Sequence, residues 1–142
     1  MRILLLLAIG IFCFPLNGRM HGHVSYFHLK KKVSVEVTEL AVDKTPSWLE
    51  NSENPPLSAK QAIQKASKFK DTIVVDTKDE KWVLRDAALC PFHGEKWYWL
   101  IRFEAEPFAA SFSGVPHDLK LAVLMDGTVV KPEVVDRNED EK

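Results

Sequence analysis

Cys90, His93 and the adjacent pair His117–Asp118 are the residue types of a thiol hydrolase. That chemistry requires a thiolate, an imidazole within hydrogen-bond reach to take its proton, and a third group to orient the imidazole. The sequence supplies the groups and leaves their geometry open. A lone cysteine at a strand end usually behaves as a small buried hydrophobe. His93 and His117 both fall in turns, where polar side chains belong. A small thiol hydrolase using Cys90 with His93 or His117 is therefore the alternative reading.

A second arrangement is "HGH", which sets His21 and His23 two apart with His28 nearby. Histidine-rich tracts bind borderline metals, but no Asp, Glu or Cys completes a local ligand set. We expect no metal and no cofactor. There is no Gly-x-Ser-x-Gly, no phosphate-cradling glycine loop and no dinucleotide fingerprint. Carboxylates are plentiful but show no pairing that would support acid–base work. The chain reads as non-enzymatic.

The 142 residues are 46% hydrophobic and 27% charged with a formal net charge of -1, which suits one globular domain. Near-neutral charge argues against nucleic acid as a partner, because phosphate binding normally needs a basic excess. The densest basic cluster, Lys30-Lys31-Lys32, reads as a solvated strand end. Residues 1–18 read as a signal peptide: Arg2 begins it, "ILLLLAIGIFCF" is its apolar region, and Pro15 to Gly18 leads to the cleavage zone. The apolar run is too short for the ~20 residues of a membrane span. Phe12 before Cys13 argues against lipid attachment there. Once this segment is removed Cys90 is the one cysteine left, so packing and not a disulfide must hold the domain. The expected location is periplasmic or secreted, in a bacterial exported protein with no stable membrane span after signal removal.

The elements that would position any site follow. Residues 19–32 show no sustained period and read as a flexible N-terminal segment. "KVSVEVTEL" alternates, with Val33, Val35 and Val37 on one face, and reads as a half-buried strand. "DKTPSWLENSENPP" reads as a loop in which Trp48-Leu49 tucks onto the domain. "LSAKQAIQKASKF" predicts a helix over 58–68: Ser58 and Gln61 form a capping box, and Ala59, Ala62, Ile63, Ala66 and Phe69 make one apolar stripe. Ile73-Val74-Val75 is either a short strand or a buried connection. "WVLRDAALC" reads as a strand with a bulge near Asp86 to Ala88, and "PFHGE" as a turn with His93-Gly94 at its tip. "LKLAVLMDGTVVKP" reads as a hairpin about Asp126-Gly127. Residues 33–135 form the single domain, and the acidic tail 136–142 is expected to be disordered.

The strand "EKWYWLIRFE" invites a functional reading as an aromatic platform. Alternation instead places Trp97, Trp99, Ile101 and Phe103 together on one wholly apolar face. Burying ~150–250 Å² per ring at ~25 cal/mol per Å² stabilises the fold by roughly 4–6 kcal/mol each, as an upper bound. The alanine stripe of the helix is the matching partner, small against large. The other face, Tyr98, Leu100 and Arg102, is expected to be only partly covered, since one helix covers one side of a sheet. It is the candidate binding surface.

A capped helix "SAKQAIQKASKF", a strand like "WYWLIRFE" and an ending "LMDGTVV" resemble a PepSY-type domain, a small exported α+β module. The resemblance covers residues 57–132. It implies an antiparallel sheet of four or five strands on one helix, and regulation of a peptidase as one role, with no catalytic residues carried over. The opening strand and Pro-rich loop depart from that pattern, and a cystatin-like layout fits about as well. The cystatin Gln-x-Val-x-Gly loop is absent, so cystatin-type inhibition is not implied. The expected function is a non-catalytic binding module for a protein or peptide of the cell envelope.

Overall fold

The structure is a computed structural model that describes residues 18–27, 31–106 and 117–136. Residues 1–17, 28–30, 107–116 and 137–142 lie outside the described residues, and with them nearly all of the expected signal peptide, His28, Lys30 and the acidic stretch after residue 136. The elements run β1 (Met20–Phe27), β2 (Lys31–Thr38), α1 (Glu39–Asp43), α2 (Ala59–Lys70), β3 (Lys81–His93), β4 (Lys96–Glu106), β5 (Asp118–Leu124) and β6 (Glu133–Asp136). They form two antiparallel three-stranded sheets, ordered β1–β2–β6 and β3–β4–β5. The class is α+β, but not the expected four or five strands on one helix.

The tryptophan strand is core. Trp99, Ile101 and Phe103 on β4 are at most 8% exposed and join one cluster with Leu119, Leu121 and Val123 of β5 and Ala62 and Ala66 of α2. The alanines bring the helix backbone close, and the large rings fill the space that short side chains leave. Trp99 Nε1 donates to the Leu57 carbonyl at 2.9 Å, so the buried indole is satisfied at the entry to α2. Ser58 caps that helix as its sequence requires: its side chain accepts from the Gln61 amide, and Gln61 reaches back to the Ser58 amide. Trp97 is only partly buried and meets Trp48 edge-on, ring centroids 5.3 Å apart, as expected for a tucked loop.

The opposite face of β3–β4–β5 corrects the expectation of a partly wet sheet. Tyr98, Ala122 and Leu124 pack in a second cluster with Val35 and Val37 of β2 and Val42 of α1. The central sheet is thus covered on both sides, by α2 and by β1–β2–β6. One helix covers one face only, and the Val33–Val35–Val37 face of β2 needs a partner of its own. Apolar faces of that kind bury against one another.

Residues 19–32 also differ from expectation. Most of them form β1, which pairs with β2 in register from Met20↔Thr38 to Phe27↔Lys31. The pattern was unreadable because it is inverted. His21, His23 and Ser25 point into the sheet interface, while Met20, Val24 and Tyr26 face outward and are exposed. The buried Ser25 Oγ accepts from the Lys120 amide of β5 at 2.8 Å, a polar seam between the sheets.

Other details follow the sequence. Strand β3 carries a register shift between Leu84 and Asp86. Residues 73–75 are a connection with Val74 buried. Gly94 (φ 51°) and Gly127 (φ 87°) occupy the left-handed region at the two tight turns. The return arm after Asp126-Gly127 is reduced to a bridge, Val123↔Val129, before the chain crosses to pair β6 with β2. Helix α1 is an addition, started by Thr38, whose side chain accepts from the Ala41 amide. No helix among the described residues is long and apolar enough to cross a membrane.

Candidate functional site

Among the described residues, chemistry-bearing side chains gather at the seam between the sheets and at the corner where α1 meets the β3–β4 turn. At the seam, the Tyr98 hydroxyl lies 2.8 Å from His23 Nε2 and 3.2 Å from His21 Nδ1. Tyr98 itself is 1% exposed. The alternation of β1 sets both imidazoles on one face, and the cross-sheet stacking sets the phenol between them. The His21 ring also packs at a tilt against Phe92, centroids 4.5 Å apart. Burial, with His21 and Lys120 nearby, lowers the pKa of His23, favouring the neutral ring. Burial holds the Tyr98 phenol protonated well above its ordinary range, and its neighbour Cys90 pushes the same way.

The thiol-hydrolase groups are not brought together. Cys90 pairs opposite Tyr98 across β3–β4. Burial raises its thiol pKa, and the hydrogen bond with Tyr98 only partly opposes this, so the sulfur is the reverse of an activated nucleophile. His93 turns away from it, with Nε2 3.0 Å from Asp43 Oδ1. His117 sits at the far end of the sheet. Its carbonyl accepts from the Ala105 amide, and its ring lies 3.5 Å from Glu80. Ala105 and Tyr98 are seven residues apart on β4, which is about 23 Å at ~3.3 Å per residue.

The residues of the candidate binding face take different places. Tyr98 is interior, and Leu100 is half-buried against the second cluster. Arg102 is engaged by Asp86, with its Nε and Nη2 donating to Oδ2 at 2.9 and 2.6 Å. The second sheet covers Tyr98, while Leu100 and Arg102 stay partly exposed.

The corner at α1 was not foreseen. A concavity of about 570 Å³ is lined by Gly18, Arg19, Met20, Thr38, Glu39, Leu40 and Asp43. That is within the ~300–1,000 Å³ typical of ligand sites. Leu40 is 71% and Met20 54% exposed. Glu39 Oε2 accepts from the Arg19 amide at 2.9 Å, tying the start of β1 to α1. The Lys96 ammonium donates to the carbonyls of Asp43 and Thr45 and so closes the C-terminal end of α1. The missed signal was "TELAVD": read as a capped turn of helix, it sets Glu39 and Asp43 four apart on one side.

Compared with family models, curated proteins and solved structures, the chain matches none of them.

Proposed function

We propose that the protein is an exported, non-catalytic binding module that takes an extended peptide segment of a cell-envelope partner along β1. One apolar side chain of that segment sits between Met20 and Leu40. The observation that carries this reading is Leu40, a large apolar residue left 71% exposed on the wall of a 570 Å³ concavity. Exposed apolar surface at a concave site marks interaction surfaces more often than chance. Among the described residues β1 pairs with β2 alone, so its outer edge offers amides and carbonyls to an added strand. Export rests on the apolar run near the N-terminus. The resemblance of residues 57–132 to PepSY-type domains adds peptidase regulation as one role for such a module.

The test is a comparison of Leu40→Glu with the unaltered protein by affinity capture from native envelope. A partner held by the unaltered chain and lost by the variant supports the reading. Identical captures, or none in either, would sink it. Cys90→Ser separates the alternative: a binding module keeps its partner, whereas a thiol hydrolase loses all turnover.

A further inference from the structure

We propose that Glu39, Asp43 and His93 form a binding site for one divalent cation of Zn²⁺ type, joining α1 to the β3–β4 turn. The inference goes beyond the peptide-binding reading and stands if that reading fails. Among the described residues, these three ligand atoms all lie within 4.8 Å of one another. They come from two separate parts of the chain. Glu39 and Asp43 share one side of α1, and the β3–β4 turn delivers His93 from 50 residues beyond Asp43.

The spacing suits a metal. His93 Nε2 is 3.0 Å from Asp43 Oδ1 and 3.8 Å from Glu39 Oε1. Two ligands bound to zinc at ~2.0–2.1 Å in tetrahedral geometry stand about 3.3 Å apart. The two distances from His93 bracket that value, and the carboxylate pair lies within 4.8 Å, so small side-chain shifts would bring the three atoms to ligand spacing. The second oxygen of Glu39 is held by the Arg19 amide, which leaves Oε1 to face His93. Outer-shell bonds of this kind orient metal ligands. The Lys96 ammonium bonds to backbone carbonyls, not to either carboxylate.

The donor set decides the class of ion. One imidazole with two carboxylates favours Zn²⁺ and its borderline neighbours, whereas Mg²⁺ and Ca²⁺ prefer all-oxygen shells. Three protein ligands leave a fourth position open. Glu39 and Asp43 also line the 570 Å³ concavity, so the site borders it, and the open position would be taken by water or an anionic group of a ligand. All three side chains are partly exposed, at 39%, 50% and 25%, so an ion reaches them from solvent without unfolding.

The experiment titrates Zn²⁺ into chelator-treated full-length protein by calorimetry, with Mg²⁺ in parallel. The expected result is one zinc per chain, no comparable magnesium heat, and affinity lost by more than about tenfold in each of His93→Gln, Asp43→Asn and Glu39→Gln. That floor follows because losing even an outer-shell partner of a metal ligand costs ~10–100-fold. No zinc heat, or an isotherm unchanged in His93→Gln, overturns the proposal. Imidazole ¹⁵N resonances of the unaltered protein provide a readout independent of variant folding. Zinc must move those of His93, and movement confined to His21 and His23 overturns the site.

Discussion

The Tyr98 hydroxyl on β4 lies 2.8 Å from His23 Nε2 on β1, across the seam where the two sheets meet. It is also 3.2 Å from His21 Nδ1, so one phenol serves two imidazoles from the partner sheet. A single O–H can donate to one ring while accepting from the other. Together with the Lys120 amide bonded to Ser25 Oγ, this polar contact fixes how β1 docks on the central sheet.

Tyr98→Phe keeps the ring and removes the hydroxyl, leaving imidazole nitrogens at the seam without their partner. Stranding such groups costs about 1–3 kcal/mol. Urea unfolding should show that loss as a lower midpoint at unchanged slope. A midpoint equal to that of the unaltered protein would show that the hydroxyl contributes nothing to docking.

His23 makes stability depend on pH. Burial, then the neighbouring His21 and Lys120, depress its folded pKa below the ordinary value. The unfolded chain therefore binds the proton more readily. The stabilisation is fully present above the unfolded pKa of ~6.5 and is lost as pH falls through the depressed folded value. Thermal midpoints between neutral and mildly acidic pH should fall in the unaltered protein and fall less in His23→Gln. Parallel curves would remove His23 from the account.

Ala66 is fully buried in the cluster that contains Trp99 and Ile101. Ala66→Leu should destabilise by about 1–3 kcal/mol through overpacking. Gln64→Leu, on the exposed side of the same helix, should stay within about 0.5 kcal/mol. Equal effects at the two sites in chemical denaturation would mean that α2 does not seat its alanines on the sheet.

Cys90 should alkylate slowly. Its thiol is pushed up by burial, so little thiolate exists at neutral pH. Iodoacetamide labelling read by peptide mass should be several times slower in the folded protein than in urea at the same pH. Faster labelling when folded would revive the thiol-hydrolase alternative.

Much of the architecture was legible in local pattern. The Ser58–Gln61 capping box, the alanine stripe and the two glycine turns depend on residues close in sequence, and each is where its neighbours place it; the bulge expected near Asp86 to Ala88 lies just before that stretch, between Leu84 and Asp86. Strand β1 was illegible because its inward face carries His21, His23 and Ser25, whose burial is acceptable only through partners on β4 and β5. Nothing within eight residues of sequence announces those partners. The run Leu119 to Leu124, almost wholly buried, did carry a hint of a sheet covered on both faces.

The sequence by itself determined the α+β class, the buried tryptophan strand and the helix that faces it, because capping, alternation and small-against-large packing act over short stretches of chain. Only the tertiary structure decided that Tyr98 is interior and that His93 leaves Cys90 for Asp43. It also set Glu39, Leu40 and Met20 around one concavity. Those outcomes depend on how a second sheet stacks on the first, a long-range choice made by the apolar face of β2 and invisible to any local period.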